Sequence, residues 1–337
     1  MKKKWIIVLI SILLAATALA LILWNLDRRK KSDNVPEYVF LYAENQTENY
    51  PTTLGGQRFA DLVYERTNGR IKIQIKYDAE LGSESQVINQ MKYGGIAFAR
   101  VSVSQLAEKI PEMNVLLLPY LYDDSAHMWR VLEGEIGDEF LAKASSYNLV
   151  GLSWYDAGAR NFYSKDKPIT CVEDCVGMNI RVQESAMMAD MVSALGANPV
   201  EVVFAEVYSA LEQGKVDGAE NNWPSYEAMN HYRVAKYYTI DEHVRVPEMQ
   251  ICSEAVWEML DESDRDIITE CAKESALYER QLWTEREERS KKKAIDSGTL
   301  VTTLSPDEKK KFRDAMSDVY EKYCGDDMDT VRKIIDY

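Results

Sequence analysis

The sequence predicts an α/β fold arranged as two lobes, and three observations carry that prediction. Short apolar runs of strand character alternate with helix-like stretches along most of the chain, the grammar of a sheet covered by helices. Of the 337 residues, about 305 remain once an apolar N-terminal segment is set aside, enough for two lobes each with its own core. From Glu254 to about Ile295 the composition shifts to long charged residues with Val256, Leu260, Ile267, Ile268, Ala272, Leu277 and Trp283 interspersed. That narrow apolar stripe reads as a helical region, including one long helix able to lie across both lobes.

The elements follow in order. Lys2, Lys3 and Lys4 precede an apolar run from Trp5 to Trp24, broken only by Ser11 and Thr17, and Arg28, Arg29, Lys30 and Lys31 follow it. Twenty residues at helical rise span roughly 30 Å, the thickness of a bilayer core. Residues 1–32 are therefore a membrane anchor or a signal segment, with Ala18-Leu19-Ala20 offering a small-residue cleavage pattern. Basic residues on both flanks blunt the orientation rule. Either way the remainder, residues 33–337, is exported.

After a polar linker, Tyr38 to Tyr42 reads as a strand and Thr53 to Arg66 as a helix closed by Thr67-Asn68-Gly69. Ile71, Ile73 and Ile75 alternate with polar residues, the period of a half-buried strand. A helix from about Ser85 to Lys92 stops at Gly94-Gly95, and Ile96 to Val101 is a short strand. The pattern continues with strands at Leu149–Leu152 and Met178–Val182, helices at Met187–Leu195 and Glu206–Gln213, and a strand emerging near Val216. Thr299 to Thr303 is a last strand, and Ser305 with Glu308 opens a final helix in a capping-box pattern. These elements divide into a first lobe of about 36–157 and 247–286 and a second of about 158–246 and 287–337.

The chain carries 40 basic and 55 acidic side chains, a net −15. Residues 1–32 hold seven bases and one acid, so the exported part stands near −21. Nucleic-acid binding needs a basic face and is excluded. The general field repels anions, so an acidic ligand must be held by locally placed cations. No pair of the three histidines has metal-ligand spacing, and no nucleophile elbow, phosphate loop or dinucleotide fingerprint occurs. Nothing nominates a catalytic residue, a metal or a cofactor. Five cysteines lack a zinc spacing; Cys171 and Cys175, four apart, form a small disulfide or stand as two separate thiols.

Two arginines and an amide remain as the chemistry-bearing groups. Arginine keeps its charge, and its planar fork matches a carboxylate with two parallel hydrogen bonds. Arg160 follows a strand and the turn at Gly158, where loops reach into clefts, or it is a surface residue paired with Asp156. Arg181 sits among Met178, Ile180 and Val182, facing solvent or buried beside an anion. Asn221 supplies both donor and acceptor to a ligand, or is a turn residue before Pro224. Trp223 walls the same cleft or simply packs.

Eight words of this sequence occur in the order found in one family. They are Thr67-Asn68-Gly69-Arg70-Ile71, Leu81-Gly82, Leu118-Pro119-Tyr120, Gly158-Ala159-Arg160, Asp174 to Val182, Leu195-Gly196-Ala197, Glu206 to Leu211 and Val216 to Asn221. Over roughly residues 36 to 330 the chain resembles the solute receptors of TRAP transporters, the tripartite ATP-independent periplasmic systems. The resemblance implies a periplasmic-binding-protein-like fold with a ligand cleft between the lobes. It implies a small carboxylate ligand, delivery to TRAP membrane subunits, a location outside the cytoplasm and no enzymatic turnover. It makes Arg181 the main carboxylate clamp, Arg160 a second contact and Asn221 the third. First-lobe contacts come from Glu44 and the segment Arg100 to Ser102. Cys171 and Cys175 replace residues usually apolar or proline there.

Asn221, Asn222 and Trp223 with Glu44 and Gln183 supply partners for several hydroxyls, which favours a hexuronate or related sugar acid. A four-carbon dicarboxylate is the rival; it would want a second basic group, for which Arg100 is the nearby candidate. An exported enzyme acting on acidic sugars and a sensor ectodomain tethered by its N-terminal helix are further alternatives.

Overall fold

The computed structural model describes residues 35–337. The segment read as an anchor or signal, residues 1–32, lies outside the described residues.

Among the described residues the strands are β1 (Tyr38–Ala43), β2 (Ile71–Lys76), β3 (Phe98–Ser102), β4 (Leu149–Tyr155), β5 (Ala159–Ser164), β6 (Asn179–Val182), β7 (Asn198–Glu201), β8 (Gly218–Asn221), β9 (Tyr237–Arg245), β10 (Glu248–Ser253) and β11 (Leu300–Thr303). They form two sheets, ordered β2-β1-β3-β10-β4 and β11-β9-β5-β8-β6-β7. The first sheet, with its helices, is lobe 1; the second is lobe 2. The α/β class and the lobed arrangement agree with the sequence reading.

Local chemistry explains the elements. In β2, Ile71 and Ile73 are buried while Lys72 and Gln74 are exposed, the half-buried pattern of an edge strand. The helix Pro51–Arg66 ends where Asn68 and Gly69 both take positive φ, +54° and +81°. Ser83 and Gln86 close a capping box over the helix Glu84–Met91, and Ser185, Asn222, Asp261 and Ser305 each cap a helix start.

Among the described residues three crossovers join the two sheets. Residues 156–158 join β4 to β5, residues 246–247 join β9 to β10, and the 35-residue helix Glu262–Asp296 spans both lobes. At helical rise it is about 50 Å long. It packs on Pro51–Arg66 in lobe 1 and on Trp223–Ala228 in lobe 2, where Arg286 and Lys293 pair with Glu227. Its buried stripe runs through Ile268, Ala272, Ser275, Glu279, Trp283, Ser290 and Ala294. Leu277, expected in that stripe, is 54% exposed instead, because nine residues on from Ile268 it lies about two and a half turns along, on the face opposite the stripe. The first crossover is pinned: Asp156 accepts from Trp129 Nε1 at 3.0 Å and from Gly158 N at 2.8 Å, and its own N–H donates to Glu279 at 2.9 Å.

The end of the chain departs from the boundaries expected from sequence. Residues 287–337 are expected in lobe 2; Pro306–Ala315 does pack there, with Phe312 against Phe162, but the helices after it bridge both lobes, Tyr323 bonding Asp190 of lobe 2 while others reach lobe 1. Tyr320 donates its hydroxyl to the Pro119 carbonyl and His127 Nε2 meets the Ile334 carbonyl, each at 2.7 Å.

Candidate functional site

Between the lobes lies a cavity of about 470 Å³. Its lobe 2 wall comes from three neighbouring strands, β5, β8 and β6, at the ends that face lobe 1. Crevices at strand ends are where open α/β sheets place ligands. Arg160 lies within β5 itself rather than in the loop after a strand.

Arg181, on β6, is 2% exposed. Its Nε and Nη2 both donate to the Val202 carbonyl, at 2.8 and 2.6 Å. That fixes one edge of the guanidinium and leaves Nη1 buried with no partner among the described residues. Burial, with repulsion from Arg160, brings its pKa down to about 10 although the charge of Glu220 works the other way; no carboxylate forms an ion pair with it among the described residues. Arg160 is different. It pairs with Glu220 through Nε and through Nη2, the latter at 2.8 Å, and Nη1 donates to Asn221 Oδ1 at 3.2 Å. Burial works against its charge, but Glu220 raises its pKa overall. Asn221 Oδ1 also accepts from the Asn222 N–H at 2.9 Å, so the amide nitrogen is the free end of that side chain.

Behind Arg160 the charge chain continues inward. His243 stacks on Phe162 at 4.3 Å, contacts Asp241 at 2.8 Å and approaches Glu220 at 3.5 Å. Burial disfavours its charge, yet Asp241 and Glu220 push its pKa up to about 9. Burial likewise pushes Glu220 up, but Arg160 and His243 bring it down to about 2. Acid and base thus alternate from the core to the cleft, and Arg181 is the cation left over.

The lobe 1 wall centres on Arg100, 3% exposed. A guanidinium has five N–H donors, and here each has a taker. Nε and Nη2 hold Glu44, the former at 3.1 Å; Nη2 also meets Asn45 Oδ1 at 2.6 Å; Nη1 meets Glu84 at 2.9 Å and Glu248 at 2.8 Å. The lobes touch across the cavity. Tyr50 shares a hydrogen bond with Ser225 at 2.9 Å, Gln183 donates to Ser102 Oγ at 3.3 Å, and Gln105 donates to the Glu184 carbonyl at 3.0 Å. Glu108 accepts from the Ala186 N–H at 2.7 Å.

Arg181, Arg160, Asn221, Gln183, Arg100 and Ser102 therefore all line one cavity. Two expected residues do not. Glu44 is 2% exposed and sits behind Arg100, also accepting from the Gln46 N–H at 3.0 Å; its charge is consumed in holding Arg100. Trp223, at the first turn of its helix, turns into the lobe 2 core and stacks on Tyr238 at 3.6 Å. Of the two alternatives for Cys171 and Cys175, a small disulfide or two separate thiols, the structure has the second: both are free. A one-turn helix, Val172–Cys175, separates them, sending Cys175 into the core while Cys171 stays at the helix start.

Sequence reasoning missed Glu84, Glu220, Glu248 and Tyr50. Glu220 had a signal, an acid in a strand two residues from a glycine and next to Asn221. Glu84 read as an ordinary first-turn acid after Ser83.

Over residues 42–326 the chain matches the family of bacterial extracellular solute-binding proteins, family 7. The chain belongs to that family. A solute-binding protein of Chromohalobacter salexigens is 36% identical over 275 residues, 82% of this chain and 81% of the relative. A TRAP periplasmic solute-binding protein from a Bradyrhizobium species, solved with galacturonate, superposes with a TM-score of 0.86 at 39% identity, covering 88% of this chain and 99% of that one. One from Sulfurospirillum deleyianum, solved with succinate, gives 0.84 at 30% identity, covering 89% and 99%. This solute-binding protein is thus a receptor of the TRAP class, whose members serve transport and not catalysis.

Proposed function

We propose that this receptor captures a sugar acid with one carboxylate, a hexuronate in the first instance, and delivers it to TRAP membrane subunits. The observation that carries the reading is the unpartnered Nη1 of Arg181, buried in a cavity between two lobes. An uncompensated buried cation calls for an anion. The ligand carboxylate pairs with Arg181 and touches Arg160 and the Asn221 amide nitrogen; its hydroxyls meet Gln183, Ser102 and the carboxylates of lobe 1. Two charge-assisted hydrogen bonds of roughly 1.5–3 kcal/mol each, with the hydroxyl contacts, suit affinity on the order of micromolar, about −8 kcal/mol.

The rival four-carbon dicarboxylate needs a second cation across the cleft. All five donors of Arg100 have partners, which argues against that reading. Galacturonate and succinate each occupy a related receptor, so both belong in the test. Calorimetric titration with galacturonate, glucuronate and succinate decides: binding of succinate without either uronate overturns the sugar-acid reading. The N-terminal segment carries the receptor out of the cytoplasm, as an anchor or as a cleaved signal; mass spectrometry of the protein recovered from cells distinguishes them.

A further inference from the structure

The wall opposite Arg181 and Arg160 gathers three carboxylates around a single guanidinium. Glu44 comes from the loop after β1, Glu84 from the start of the helix Glu84–Met91, and Glu248 from the start of β10. Three elements far apart in sequence converge on Arg100, so three carboxyl groups share one guanidinium. Glu44 is hidden, but Glu84 and Glu248 both line the cavity. Their side chains are 11% and 10% exposed. Each touches Arg100 through one oxygen: Glu84 Oε1, which also accepts from the Ser102 N–H at 3.1 Å, and Glu248 Oε2. The second oxygen of each has no protein donor among the described residues.

We infer that Glu84 and Glu248 determine specificity at the far end of the cleft, accepting hydrogen bonds from ligand hydroxyls and excluding a ligand with a second carboxylate. The inference rests on the sugar-acid reading and goes beyond it, because it names what rejects the diacid. Two acceptor oxygens without donors suit hydroxyls, each of which has a proton to give. A second ligand carboxylate has none to give and meets like charge. Burial, and for Glu84 its repulsion by Glu248, push both carboxyls up from their ordinary values, so this wall already strains to hold its own charge. A like charge about 6 Å away, at an effective dielectric constant of about 20, weakens binding by ~100-fold.

Galacturonate and galactarate make the comparison: they share six carbons and their hydroxyl configuration, and galactarate carries a second carboxylate on an open chain, so the change of their affinity ratio on substitution isolates the charge. Calorimetry on the unaltered protein should show galactarate binding ~100-fold or more weakly than galacturonate. E84Q and E248Q keep the shape and an acceptor oxygen for Arg100 while removing the charge. Each should narrow the ratio of the two affinities by at least ~10-fold. An unchanged ratio in both variants, with galacturonate still bound, overturns the inference and leaves the sugar-acid reading standing. Failure of the unaltered protein to bind any uronate defeats the sugar-acid reading itself. Circular dichroism reports whether each variant folds. If neither does, equal affinity of the unaltered protein for the two acids still overturns the inference.

Discussion

Replacing Arg181 with lysine tests the clamp most directly, because it keeps the charge and removes the geometry. Arg181 does two jobs at once: its Nε and Nη2 hold the Val202 carbonyl at 2.8 and 2.6 Å, and its Nη1 is left for the ligand. Lysine has a single nitrogen, which cannot hold Val202 from that edge and also reach a carboxylate with a paired set of donors. At least one charge-assisted hydrogen bond is lost, worth roughly 1.5–3 kcal/mol. That corresponds to a ~10- to ~150-fold weaker affinity. Calorimetric titration with galacturonate at neutral pH measures it, with thermal unfolding of the unliganded variant as the folding control. An affinity within ~3-fold of the unsubstituted receptor refutes the reasoning, since the carboxylate then cannot lie on Arg181.

Other outcomes follow from the same geometry. Asn221→Asp should weaken uronate binding by ~100-fold or more, because the amide nitrogen becomes a charged oxygen facing the ligand carboxylate; unchanged affinity would remove Asn221 from the site. Tyr50→Phe deletes a hydrogen bond between lobes, so affinity should fall by ~2- to ~12-fold, read as faster dissociation in stopped-flow. Stability should fall in alkali through His243. Its folded pKa, about 9, lies above the usual 6.5, so its contribution is complete below about 6.5 and is lost as pH rises through about 9. The loss is up to about 3 kcal/mol, visible in urea unfolding at pH 6 and pH 9.5; a His243→Gln variant with the same pH slope would assign the effect elsewhere. Arg181→Met, finally, should make the unliganded receptor more compact in small-angle scattering, whereas an unchanged radius counts against the coupling argued below.

The sequence made the lobe 2 clamp legible and the lobe 1 wall almost illegible, for physical reasons. Arg181 stood out because a charge inside a four-residue apolar strand, Asn179–Val182, must be either at the surface or compensated. Strand periodicity could not choose between those, since Ile180, Arg181 and Val182 are buried in succession and both faces of β6 are therefore covered. Glu248 carried no comparable signal. Its place depends on β10 returning from lobe 2 to pair antiparallel with β3, which sets Glu248 opposite Ser102 across 146 residues of sequence. The crossovers also explain why β5, β9 and β10 were not anticipated, for they are where an alternating α/β chain becomes two mixed sheets. Trp223 misled because its neighbours line the cavity. Once Asn222 caps the helix by accepting the Ser225 N–H at 2.8 Å, the next side chain is turned toward the Tyr238 ring.

The uneven charge on the two walls also gives a reason for the lobes to wait for a ligand. In the contacting arrangement Arg181 is 2% exposed, and burial has brought its pKa down to about 10. Burial and the neighbouring Arg160 both disfavour its charged form. Glu220, whose charge Arg181 feels, is already engaged by Arg160 and His243. Contact between empty lobes therefore isolates a cation in a poor solvent. A bound carboxylate offsets that penalty and so favours the contacting arrangement. Nonspecific anions gain less, because the opposite wall returns repulsion wherever a ligand lacks hydroxyl donors. Closure then depends on both ends of one molecule, a charge for lobe 2 and a set of donors for lobe 1. The partnerless nitrogen on Arg181 and the saturated Arg100 are two halves of one selection rule.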